Sequence, residues 1–217
     1  MKGFFLTLEG VEGAGKTHQS KKLFQFLKKN GKKVVLTREP GGSGIADKIR
    51  QILLIPSLEK IEPLCELLLY NAARVQHMKQ VVEPALQQGK IVLCDRFTDA
   101  TIAYQSFGRK LPLSLVRQVN QIATTGLKPD LTFLFDCPPE IGLRRANARL
   151  KKQRGKREER FEKEKIAFHR RVRKGYLQLA HADKKRFCTL DTRKPEKVVF
   201  QKIIAALHPR LLKNDLL

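Results

Sequence analysis

At 217 residues and 41% hydrophobic side chains, the chain can form one α/β domain with a real core, and wholesale disorder is excluded. Its 44 Lys and Arg against 21 Asp and Glu give a net charge of +23, which predicts attraction to polyanions, whether nucleic acid or acidic small molecules. Cys65, Cys94, Cys137 and Cys188 are scattered without metal spacing, the N-terminal apolar run is too short for a signal peptide, and no stretch approaches a membrane span, so a reduced, cytoplasmic protein without a membrane partner is expected.

The first strand is expected at about 3–9, around Phe4-Phe5-Leu6-Thr7-Leu8. Gly10-Val11-Glu12-Gly13-Ala14-Gly15-Lys16-Thr17 follows and fits the phosphate-loop spacing Gly-x-x-x-x-Gly-Lys-[Ser/Thr] at every fixed position. A helix with Leu23, Phe24, Phe26 and Leu27 on its apolar face comes next, so the motif has the strand–loop–helix setting it needs. Such a loop turns its N–H groups inward on phosphate oxygens at a helix N-terminus. Lys16 can reach the β and γ phosphates, and the Thr17 hydroxyl can ligate Mg²⁺.

A second strand at 33–37 leads into Thr37–Gly44, where one Pro and three Gly make a shaped loop. The next helix carries Ile45, Ile49, Ile52 and Leu53 on one side and Arg50 on the other. The segment 60–88 is a long amphipathic pattern in which Tyr70 and Arg74, four apart, share a face. A ring and a guanidinium there can stack on and hydrogen-bond a planar base, and an ordinary surface aromatic–cation pair fits the spacing equally well. A strand at 90–95 ends in Asp95-Arg96. Opposite a phosphate loop, that carboxylate can orient Mg²⁺ directly or through water, and the arginine can bridge phosphates; a structural salt bridge is the competing reading. Further strands at 130–136 and 186–190 complete an alternation that predicts a P-loop NTPase-type three-layer sandwich: five parallel strands with helices on both faces. Ligands then belong at the strand C-termini, where Glu9, Arg38, Asp95, Arg96 and Asp136 fall. The one composition shift, 144–174, is strongly basic, with Gln153–Lys156 reading as a mobile turn between helices.

The order of the motifs is similar to the bacterial form of thymidylate kinase: Leu8–Thr17, Thr37-Arg38-Glu39-Pro40-Gly41-Gly42, Ala72-Ala73-Arg74-Val75-Gln76, Asp95-Arg96, Ala103-Tyr104-Gln105 and Lys128-Pro129-Asp130-Leu131-Thr132. The match runs from about Lys2 to Leu207. The resemblance implies transfer of the γ-phosphate of ATP to dTMP by direct in-line attack, one domain over 1–217, a basic lid at about 147–160, and a homodimer. It implies that Gly10–Thr17 binds ATP and that Glu12 contacts the acceptor 3′-hydroxyl. Arg50 and Arg96 would hold the acceptor phosphate, Tyr70 would stack on thymine, and Arg74 and Thr101 would read its edge. Tyr104 would crowd the 2′ position, with Gln105 beside the sugar or the loop. Some members carry an Arg inside the phosphate loop; here Gly13 stands there, so the cation for the transition state must come from the lid. Arg149 is the first choice, and Arg154, Arg157 and Arg160 stay open. His18 is assigned no role, while Ala100 and Phe97 depart from the family pattern.

The catalytic set is thus Lys16, Arg96 and Arg149, with Thr17 and Asp95 for the metal. A kinase for another nucleoside monophosphate is the nearest rival reading. A basic nucleic-acid-binding P-loop ATPase is the rival from another class, and it fits poorly because aromatics are 7% of residues and none is spaced as a stacking platform.

Overall fold

The computed structural model describes residues 3–56, 59–152 and 159–213. Five strands form one sheet in the order β2-β3-β1-β4-β5. They are β1 (Phe4–Glu9), β2 (Val34–Arg38), β3 (Ile91–Asp95), β4 (Leu131–Asp136) and β5 (Phe187–Asp191), each within a residue or so of expectation. Every pairing is parallel, with Leu8 opposite Asp95 and Glu9 opposite Leu134. β1 is buried along its whole length, which is why it reads as an unbroken apolar run rather than an alternating one.

Helices cover both faces. Phe4, Leu6 and Leu8 join a large core with Leu23 and Leu27 of α1 (Lys16–Lys29), Val172 and Tyr176 of α8 (Ile166–Ala182) and Ile203 of α9 (Glu196–Lys213). Phe5, Val92 and Cys94 form a second core with Met78, Val82, Ala85 and Phe97. The remaining helices are α2 (Gly44–Leu54), α3 (Pro63–His77), α4 (Glu83–Gln87), α5 (Thr98–Thr101), α6 (Leu113–Thr124) and α7 (Pro139–Lys152).

The expected helix across 60–88 is not uniform. α3 passes through a π-helical turn at Met78–Val82 before α4. Pro84 has no N–H to donate to the preceding turn, and a widened turn accommodates that gap. α5 likewise runs into π-helical turns at Ile102–Gly108, the stretch that carries Tyr104 and Gln105. Such turns are frequent at functional sites, and no periodicity in the sequence announced this one. The tip of the expected lid, with Arg154, Arg157 and the Gln153–Lys156 turn, lies outside the described residues.

β1 has β3 on one side and β4 on the other, so the chain reverses its direction of travel across the sheet beside it. The crevice beyond its C-terminal end is where a doubly wound sheet offers a ligand site.

Candidate active site

Gly10, Gly13 and Gly15 have φ of 140°, 65° and 91°. At Gly13 the reason goes beyond the backbone angle. A Cβ there would lie 1.9 Å from the Gly142 carbonyl oxygen of α7. An arginine at this position would therefore clash with the first turn of α7, which fixes why the loop of this chain carries none. The Lys16 ammonium donates to the Gly10 and Val11 carbonyls, both at 2.9 Å. Burial, helped by the charge of Arg96, lowers its pKa to about 8, against the pull of Asp95, Glu12 and Glu9. An incoming polyanion would restore the charged form. Thr17 Oγ1 donates to Asp95 Oδ2 at 2.8 Å, so the two metal candidates touch across the ends of α1 and β3.

One cleft beside this loop is lined by Glu12, Lys16, Thr17, Asp95 and Arg96, by Arg50, Tyr70, Arg74, Thr101, Tyr104 and Gln105, and by Arg149. Arg74 is 2% exposed, so it is no surface partner of Tyr70. Its Nε donates to Glu39 at 2.8 Å and its Nη1 to Asn71 and Asn120 at 3.0 and 2.7 Å. Nη2 donates to Thr101 Oγ1 at 2.8 Å. A guanidinium has five N–H groups, so this frame leaves one Nη2 hydrogen over. Arg74 Cζ also lies 5.3 Å from the centre of the Phe97 ring. Arg50 donates to the Pro40 carbonyl at 2.7 Å.

At the other end of the cleft, Arg96 sits in the left-handed region with φ 73°. Its guanidinium reaches Tyr176 Oη and Glu12 Oε1, both at 3.2 Å, and lies 5.0 Å from the Tyr104 ring. Tyr104 donates a short hydrogen bond to the same Glu12 oxygen. Burial alone would raise the Glu12 pKa; His169, Arg96, Lys16 and Tyr104 reverse that and lower it to about 2. Glu12 is thus an ionised acceptor; its Oε2 accepts no hydrogen bond among the described residues and stands 3.3 Å from His169 Nδ1. A cleft lined by a cation-holding phosphate loop, a buried forked arginine and an ionised acceptor can take two anions and one hydrogen-bonding base.

A family model described as thymidylate kinase matches residues 8–203. The chain belongs to the thymidylate kinase family. It is 50% identical over 212 residues to a thymidylate kinase of Pelobacter propionicus, covering 98% of this chain and 97% of that one. It is 57% identical over 190 residues to a thymidylate kinase of Geotalea daltonii, covering 87% of this chain and 89% of the relative. A crystal structure of thymidylate kinase from Ehrlichia chaffeensis superposes with a TM-score of 0.75 at 32% identity, covering 95% of this chain and 99% of that one.

In this member of the family, sequence reasoning missed most of the groups that hold the lining residues. Glu39, Asn71 and Asn120 around Arg74 are examples, and only Asn71, three residues before Arg74, has a spacing that points to it. Glu66 is fully buried and gathers Gln105 at 2.5 Å, Arg109 at 3.1 Å and Arg160 at 2.5 Å. Arg160, one of the open lid choices, is thereby turned to the cleft wall, where it also donates to the Leu53 carbonyl. Phe161 packs edge-on to Tyr104 at 5.3 Å. Arg149 is 61% exposed on α7, 3.6 Å from Glu162. Outside the cleft, His18 is exposed and meets Glu196 at 3.0 Å, and Asp136 is held by Arg173 at 2.7 and 2.9 Å.

Proposed function

We infer that the chain transfers the γ-phosphate of ATP to dTMP, giving dTDP and ADP. The observation that carries this reading is the single cleft that joins the phosphate loop to Tyr70, Arg74, Thr101 and Tyr104. ATP phosphates lie along Gly10–Thr17, with Lys16 on the β and γ groups. The acceptor phosphate is held by Arg96 and Arg50. Thymine stacks on Tyr70, the remaining Arg74 hydrogen takes a base carbonyl, and Thr101 meets the N3 edge. The sugar 3′-hydroxyl donates to the Glu12 carboxylate, which is buried and ionised. Tyr104 crowds the 2′ position and favours deoxyribose, and Gln105 stands beside the sugar pocket.

The acceptor phosphate is already largely ionised near neutral pH, so no general base is required. Two anions must meet in line while spread negative charge is compensated, and Lys16, Arg96 and the lid Arg149 supply that compensation. Thr17 and Asp95 would hold Mg²⁺. The hydroxyl–carboxylate pair suits a hard cation, and among the described residues no cluster of three or more His, Cys, Asp or Glu could build an all-protein cage. When bound, Mg²⁺ supplies charge neutralisation between the phosphates.

The reading extends to one kinase domain over 1–217 with its lid near 147–160. Free cysteines throughout favour the cytoplasm, and no described helix is long and apolar enough to cross a membrane. A homodimer is supported by the exposed stripe Leu64, Leu68 and Val75 on α3, a helix that packs against α2 and α6. ADP release with ATP and Mg²⁺, measured over a panel of nucleoside monophosphates, tests the activity. Preferred use of dTMP supports it, and equal use of a purine monophosphate overturns it.

A further inference from the structure

Arg96 is the side chain on which acceptor binding turns in the reading above, and its placement is not local. A non-glycine residue in the left-handed region persists only where its surroundings over-determine it. Here Arg96 N donates to the Leu8 carbonyl at 3.0 Å, and the next N–H, of Phe97, donates to Glu9 Oε1 at 2.7 Å. The Ala100 N–H reaches the same Glu9 oxygen at 3.3 Å. The last residue of β1 therefore grips the backbone just past Arg96. The other Glu9 oxygen is 2.9 Å from the Tyr176 hydroxyl, and that hydroxyl is 3.2 Å from Arg96 Nη1. Glu9 is 0% exposed and Tyr176 1%.

We propose that Tyr176 is a positioning residue for Arg96: its hydroxyl joins the guanidinium to the Glu9 carboxyl and so sets where the cation stands in the cleft. A guanidinium only donates, so the tyrosine oxygen is the acceptor whichever of Glu9 and Tyr176 carries the proton between them. With Nη1 on Tyr176 and Nη2 on Glu12, the fork is held at two corners while the arginine still lines the cleft. One carboxyl thus fixes Arg96 twice, through the backbone beside it and through its head group. Helix α8 carries the second point of control: His169, seven residues and two turns before Tyr176, stands 3.3 Å from Glu12 Oε2. The ring of Tyr176 also packs 6.3 Å from Tyr104, so removal of the hydroxyl alone separates positioning from packing.

This inference rests on Arg96 holding the acceptor phosphate. Its test is calorimetric binding of dTMP and of thymidine, which lacks the phosphate, to the full chain, to Tyr176→Phe, to Arg96→Ala and to the double variant. Tyr176→Phe should weaken dTMP about tenfold while thymidine stays within about twofold, the size expected for one hydrogen bond to a charged group. In the Arg96→Ala background it should cost nothing further. Equal loss of both ligands, no loss of dTMP, or full additivity with Arg96→Ala overturns the positioning role. If Arg96→Ala itself weakens thymidine as much as dTMP, the phosphate-holding reading of Arg96 falls and takes this one with it. A normal Arg96→Ala result with a silent Tyr176→Phe sinks the tyrosine role alone. Retained thymidine binding reports that each variant is folded.

Discussion

Replacing Arg74 by methionine tests the frame that holds the base site. Methionine keeps a long apolar stem but removes all four hydrogen bonds of the guanidinium. Among the described residues, the Glu39 carboxylate, 5% exposed, would keep only His77, at 2.9 Å. Breaking a buried pair from one side costs about 3–5 kcal/mol, because it strands the other charge. At about 2–4 °C per kcal/mol for a domain of this size, the midpoint should drop by about 6–20 °C. The pH dependence carries the diagnosis. Burial pushes the Glu39 carboxyl up, but Arg74 and then His77 outweigh it and hold the pKa below 4.5. Stability from that depressed value is present above 4.5 and is lost as pH falls through the native pKa. Without Arg74, burial prevails, the native pKa rises, and stability then falls as pH climbs past 4.5. The gap between wild type and Arg74→Met should therefore widen from about pH 5 to about pH 7.5 in urea titrations. Arg74→Met/Glu39→Gln should recover more than half of the loss in stability, yet remain impaired with dTMP. An equal gap at both pH values, or no recovery in the double variant, would refute the stranded-charge explanation.

Lys16→Met should cut kcat by at least about 10²–10³-fold without lowering the urea midpoint, since the lysine is held in a site that depresses its pKa. A parallel fall in stability would make its role structural. Arg149→Ala should cost roughly 10²–10³ in kcat with little change in the KM for dTMP; a near-normal kcat would move the transition-state role to another lid arginine. Burial, then Asp99, raises Glu9 to about 8 from 4.5. The folded chain thus retains a proton that the unfolded chain loses, and stability is predicted to fall as pH rises from about 4.5 to 8. Glu9→Gln should flatten that slope in thermal scans; an unchanged slope would assign it to other groups.

Much of this protein is written locally. The phosphate loop, its strand and its helix follow from eight contiguous residues and their flanks, because a backbone that must wrap phosphate needs glycines at set intervals. The three central strands were visible as largely apolar runs, since both faces of the sheet are covered there, whereas the edge strands β2 and β5 are less buried. The spacing of Tyr70 and Arg74 identified a shared face, though not that Arg74 would be buried rather than paired on the surface. Family resemblance carried the remaining lining residues.

What stayed hidden are the partners that aim those residues. Glu39 and Arg74 are 35 positions apart, Arg74 and Asn120 are 46, and Glu9 and Tyr176 are 167. Likewise, Gly13 looked like a missing arginine, and only the 1.9 Å approach of the α7 backbone explained it. Local spacing encodes which groups a turn of chain can present. Their charge states and directions arise when burial removes water and leaves each polar atom to find a partner from another element, and that choice exists only once the sheet and its helices have closed together.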